Sequence, residues 1–121
     1  MKKKTDAFIL EKLKHKLKFR KNIILPKLLR GQVLVKLIYT SLCGSQIMEI
    51  NGKRGRDKYL PHGLGHEGVA KIISTGKEVK KLKKGDKVIL TWIKSKGNDC
   101  KGFKINFNNK KNINFGPITT L

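Results

Sequence analysis

Two short stretches carry the side chains able to do chemistry. Thr40 to Ser45 (Thr-Ser-Leu-Cys-Gly-Ser) offers a thiol at Cys43 and a hydroxyl at Ser45, two positions on. Leu60 to Gly68 (Leu-Pro-His-Gly-Leu-Gly-His-Glu-Gly) offers an imidazole at His66 followed directly by a carboxylate at Glu67, between glycines. Cys, His and acidic side chains ligate zinc or orient the groups that do. Zinc sites legible in sequence usually pair close ligands, such as Cys-x-x-Cys, and that signature is missing here. On the residues alone two readings stand. One is a metal centre assembled only by folding; the other is a buried structural cysteine and an unrelated loop histidine. His62 reads as a solvated loop residue and a weaker second candidate, and His15, among lysines, reads as surface.

The elements that must position these groups are short. Ala7 to Leu10 is an apolar strand, and Leu17 and Phe19 alternate with lysines as in a half-buried strand. Pro26 disfavours a central strand position. Val33 to Tyr39 is the clearest strand, with Val33, Val35, Leu37 and Tyr39 on one face. Thr40 or Ser41 can cap a short helix from near Cys43 to about Ile50, with Ile47, Met48 and Ile50 as its apolar surface. Asn51-Gly52 ends it, since both residues tolerate positive φ. Val69 to Ser74 and Val88 to Trp92 are further strands, separated by turns at Thr75-Gly76 and Lys83 to Asp86. Residues 94–114 are polar and Asn/Lys-rich, a long loop or irregular hairpin. Short strands with close turn signals indicate a mainly β barrel or sandwich.

The order of these motifs is more telling than any one of them. Gly31 to Leu37 leads into Thr40 to Ser45; then follow Leu64 to Ala70 (Leu-Gly-His-Glu-Gly-Val-Ala), Gly76 to Val79, and Gly85 to Leu90 (Gly-Asp-Lys-Val-Ile-Leu). This succession resembles the N-terminal, GroES-like catalytic domain of the medium-chain zinc-dependent alcohol dehydrogenases, from about Phe8 to the end of the chain. The resemblance implies one domain over 1–121, mainly β with short helices, as a partly open GroES-like barrel. It also implies that Cys43 and His66 ligate a catalytic zinc, with Glu67 beside the metal and able to ligate it. Ser45 would bond the substrate oxygen and pass its proton on, and Trp92 would wall the substrate pocket. A plain reading remains for each: a helix-start hydroxyl for Ser45, a core or rim aromatic for Trp92.

The chain departs from that family at several positions. Gln46 stands where an Asp often orients the ligand histidine, and Met48 where some members carry a relay histidine. Residues 94–114 form a shortened polar loop in place of the structural-zinc lobe; with only Cys100 there, no structural zinc is expected. The family's third zinc ligand and its Rossmann domain lie beyond Leu121, and the 121 residues contain no Gly-x-Gly-x-x-Gly turn. NAD or NADP would therefore bind only with the missing domain or a complementary chain. The chain alone is expected to be inactive: a fragment, one half of a split enzyme, or a remnant. The expected substrate is a small alcohol or carbonyl compound, and the family suggests a homo-oligomer.

Composition sets the remaining bounds. The chain has 29 Lys+Arg against 8 Asp+Glu, a net charge of +21. The excess is nearly all Lys, spread along the sequence, which favours solvated surface charge with non-specific polyanion sticking. A basic polyanion- or RNA-binding module and a co-chaperonin-like structural subunit are the non-enzymatic alternatives. Two cysteines give no disulfide framework and suit a reducing cytoplasm. No apolar run suggests a signal peptide or membrane span.

Overall fold

The computed structural model describes residues 2–94, 96–97, 101–107 and 111–120, with the side chain of Lys111 excepted. It is mostly strand, with one short helix. Strands β1 (Lys4–Leu10), β2 (Lys18–Ile24), β4 (His62–Gly63), β7 (Phe103–Phe107) and β8 (Lys111–Phe115) form one sheet in the order β2-β1-β4-β8-β7. Strands β3 (Val33–Thr40), β5 (Gly68–Thr75) and β6 (Lys87–Leu90) form the second, in the order β3-β5-β6. Helix α1 (Gly44–Ile50) follows β3. The five-stranded sheet curls as half a barrel, consistent with the GroES-like, partly open form. No helix among the described residues is long and apolar enough to cross a membrane.

The core lies on the inner face of the five-stranded sheet. Ala7, Ile9, Ile23, Ile105, Ile113 and Phe115 are buried together, with Leu25, Phe103 and Phe107 packed against them. Alternation along β7 and β8 sends Ile105, Ile113 and Phe115 inward, and the Phe115 ring stacks on Phe103 at 5.0 Å. Of the two readings of 94–114, long loop or irregular hairpin, the second half of the segment takes the paired form. Phe103–Phe107 and Lys111–Phe115 pair antiparallel from Phe103↔Phe115 to Phe107↔Lys111. The surrounding Asn and Lys residues masked that alternation in the sequence. Cys100 lies outside the described residues.

Two-residue β4 is the pivot of the sheet. His62 pairs with Leu10 of β1 on one side and, in parallel, with Asn114 of β8 on the other. Asn114 closes the loop before it, donating its backbone N–H to the Pro61 carbonyl and its side-chain NH₂ to the Tyr59 carbonyl. Gly63 must lack a side chain, because a Cβ there would fall 2.8 Å from both the Phe115 ring and the Thr119 methyl.

The β3 strand forms as its pattern indicates, but its two faces do not separate into buried and exposed. Bulges between Leu34 and Val35 and between Leu37 and Tyr39 change its register on β5, and Leu37, Ile38 and Tyr39 are all exposed. Every lysine with a described side chain is exposed. This agrees with a solvated cationic surface.

Candidate metal centre

The end of β3 and the loop from β4 into β5 meet at one point. Glycines allow the approach: Gly65 has φ 95°, and a Cβ on Gly68 would sit 2.6 Å from the Tyr39 carbonyl oxygen. Gly68 pairs with Thr40 in the β3–β5 ladder, which carries Glu67 to the start of the Cys43 loop. The Thr40 hydroxyl donates to the Glu67 backbone carbonyl at 3.0 Å, and the Ser41 hydroxyl donates to Glu67 Oε1 at 2.9 Å. Neither residue caps the helix as the sequence suggested. Both hydroxyls are committed across the strand gap, and Cys43 takes the N-cap position.

The Cys43 backbone N–H donates to Gln46 Oε1 at 2.8 Å, which locks the first turn of α1 around the thiol. The Ser45 hydroxyl donates to Cys43 Sγ at 3.3 Å. Ser45 holds the thiol below its ordinary pKa, first through this hydroxyl and then through its backbone N–H. Desolvation and the nearby Glu67 carboxylate push the other way. Hydrogen bonds to a thiolate favour the charged form that binds metal. In the metal-free chain, Ser45→Ala is therefore expected to move the pH midpoint of Cys43 alkylation upward. Peptide mass spectrometry, which reports Cys43 separately from Cys100, measures that shift; an unchanged midpoint would remove Ser45 from this role.

The ligating atoms of Cys43, His66 and Glu67 all lie within 4.8 Å of one another, and all three residues are half-buried. Ligands of a tetrahedral zinc sit roughly 3.3–3.8 Å apart, so closing onto an ion needs shifts of about an ångström. Thiolate, imidazole and carboxylate make a donor set that zinc accepts. His66 also borders a cavity of about 520 Å³, which Gln46, His62 and Phe115 line with it.

Trp92 lies beyond β6, is 67% exposed, and is not part of the lining of this cavity. His62 is the residue that the sequence reading missed. It is 8% exposed and strand-paired on both sides, not solvated. Its Nε2 lies 2.7 Å from Asp57 Oδ2. Asp57 five positions before it was the available signal, hidden by the charged run around it.

The alcohol dehydrogenase GroES-like domain profile matches residues 29–117. The chain belongs to this family. It is 35% identical over 80 residues to an alcohol dehydrogenase of Geobacillus stearothermophilus, covering 66% of this chain and 24% of that protein. Alcohol dehydrogenase 6 of Rattus norvegicus is 37% identical over 82 residues, covering 68% and 20%. Zinc-type alcohol dehydrogenase B of Aspergillus flavus is 33% identical over 92 residues, covering 71% and 20%. The chain thus spans about a quarter or less of the length of these alcohol dehydrogenases. The matched segment contains Cys43, Ser45, His66 and Glu67.

Proposed function

We propose that this alcohol dehydrogenase domain is the zinc-holding, alcohol-handling half of an enzyme that transfers hydride between an alcohol and NAD or NADP. The convergence of Cys43, His66 and Glu67 within 4.8 Å, at the positions where the motifs predict zinc ligands, carries the reading. Cys43, His66 and Glu67 would hold a zinc ion, which would supply Lewis acidity toward an alcohol or carbonyl oxygen. Ser45 stands beside Cys43 Sγ, and its hydroxyl can turn from the sulfur to take the alcohol proton. Ser41 holds the Glu67 carboxylate in place, and Gln46 holds the Cys43 backbone.

The nicotinamide acceptor calls for a dinucleotide-binding domain outside residues 1–121, in the same polypeptide or in a partner. An exposed apolar row supports such a neighbour. Tyr39 pairs with Val69, and Val69 with Ile89, so the three share one face of the sheet. Tyr39 is 73% and Ile89 80% exposed. A reducing cytoplasm would keep Cys43 a free ligand.

Access of an alcohol to the ion can be tested without the second domain. Cobalt substituted for zinc in the purified chain is expected to show visible absorption bands that shift saturably when a small primary alcohol is added. Bands that no alcohol or carbonyl compound perturbs would mean a closed site and would exclude this function.

A further inference from the structure

Glu49, Asp57 and His62 form a second cluster, one that plays no part in the proposed zinc centre. They come from α1, the loop after it and β4, and their ligating atoms lie within 4.8 Å of one another. The side chains of His62 and Asp57 are each 10% exposed, and that of Glu49 is 28% exposed. His62 Nδ1 lies 2.9 Å from the Gly63 carbonyl oxygen. A carbonyl only accepts, so Nδ1 carries hydrogen. Nε2 then faces two carboxylates, with Asp57 Oδ2 at 2.7 Å and Glu49 Oε1 at 3.5 Å. A lone pair in that position repels both; a cation between the three groups attracts all of them.

A proton on Nε2 satisfies one carboxylate and leaves the cluster with a surplus negative charge. No ion pair among the described residues brings a Lys or Arg to Glu49 or Asp57. That is notable in a chain with 29 Lys+Arg and only 8 Asp+Glu. Part-buried charge without compensation is costly, and a divalent cation would compensate it. The cluster is also oriented from outside: Asp57 Oδ1 accepts the Tyr59 backbone N–H at 2.8 Å, leaving Oδ2 turned to His62.

An independent observation comes from Gln46, one turn before Glu49 on α1. Gln46 is 2% exposed, its Oε1 is taken by the Cys43 N–H, and its Nε2 has no partner. Gln46, Glu49 and His62 line the same 520 Å³ cavity, which His66 also borders. A buried NH₂ without an acceptor calls for one in that cavity, and water bound to a cation supplies it.

We propose that Glu49, Asp57 and His62 bind a divalent first-row cation, separate from the Cys43 centre. One imidazole nitrogen and two carboxylate oxygens, without sulfur, suit zinc or manganese. Ligand atoms 2.7 Å apart subtend about 80° at a metal ~2.1 Å from each, an angle suited to a six-coordinate ion completed by water.

The test is a Mn²⁺ titration of the purified Cys43→Ser chain, followed by electron paramagnetic resonance of free and bound ion. Saturable binding of one equivalent is expected. Adding Glu49→Gln, which removes one charge from the most exposed ligand and spares the packing, is expected to weaken it roughly tenfold or more. His62→Gln should abolish it; circular dichroism checks that this variant folds, and Glu49→Gln decides the matter if it does not. Absence of saturable binding, or an affinity indifferent to Glu49→Gln, overturns the site. Zinc at Cys43 should survive Glu49→Gln in the otherwise native chain, so failure here and failure of the proposed zinc centre give different results.

Discussion

Cys43→Ser is expected to lower the zinc affinity of the chain by more than about 100-fold. Loss of a partner that merely orients a ligand costs roughly 10–100-fold, and loss of the thiolate itself should cost more. Serine conserves size and the helix-start position, so the fold should survive. Its hydroxyl cannot ionise near neutral pH, whereas Ser45 holds the Cys43 thiol toward its charged form. Ser41→Ala supplies the graded control, because it releases only the carboxylate that Ser41 anchors at 2.9 Å; a loss of about tenfold is expected. Competition against a chromogenic chelator, with Glu49→Gln present throughout so that the second cluster does not contribute, measures both. Equal affinities with and without Cys43→Ser would mean that the zinc, if bound, lies elsewhere.

The largest effect on stability is expected from Phe115→Ala. Phe115 is 5% exposed, stacks on Phe103, and fills the space over Gly63 where no side chain fits. Removing a buried phenyl costs about 3–5 kcal/mol, lost transfer energy plus the cavity left behind. A small domain holds only about 5–15 kcal/mol in all, so the variant should sit close to unfolding at 25 °C. Urea denaturation followed by circular dichroism gives the difference directly. A loss below about 1 kcal/mol would show that the sheet closes without this ring. Zinc binding should weaken with it, because β4 carries the loop that presents His66 and Glu67.

Local signals made some of this architecture legible in the sequence, and long-range contacts hid the rest. The strand from Val33 to Thr40 and the helix ending at Asn51-Gly52 follow from alternation and from residues that tolerate positive φ. The sequence did not show which face of β3 is covered, because two bulges redirect its side chains and much of its surface has no neighbour among the described residues. Ser41 and Thr40 look like helix caps because a cap needs only a nearby hydroxyl. Their actual partner, Glu67, is 26 and 27 positions away. His62 looked solvated for the same reason. Its burial depends on β8, whose strand lies hidden among asparagines and lysines. Cys43, His66 and Glu67 were legible as candidates through motif order, and the fold supplied their proximity.

The most direct test of the centre is X-ray absorption at the zinc edge on the zinc-loaded chain carrying Glu49→Gln, so that a single site dominates. The account predicts one sulfur at about 2.3 Å, with nitrogen and oxygen ligands at about 2.0–2.2 Å. A first shell of nitrogen and oxygen alone would contradict it, since Cys43 could not then be a ligand.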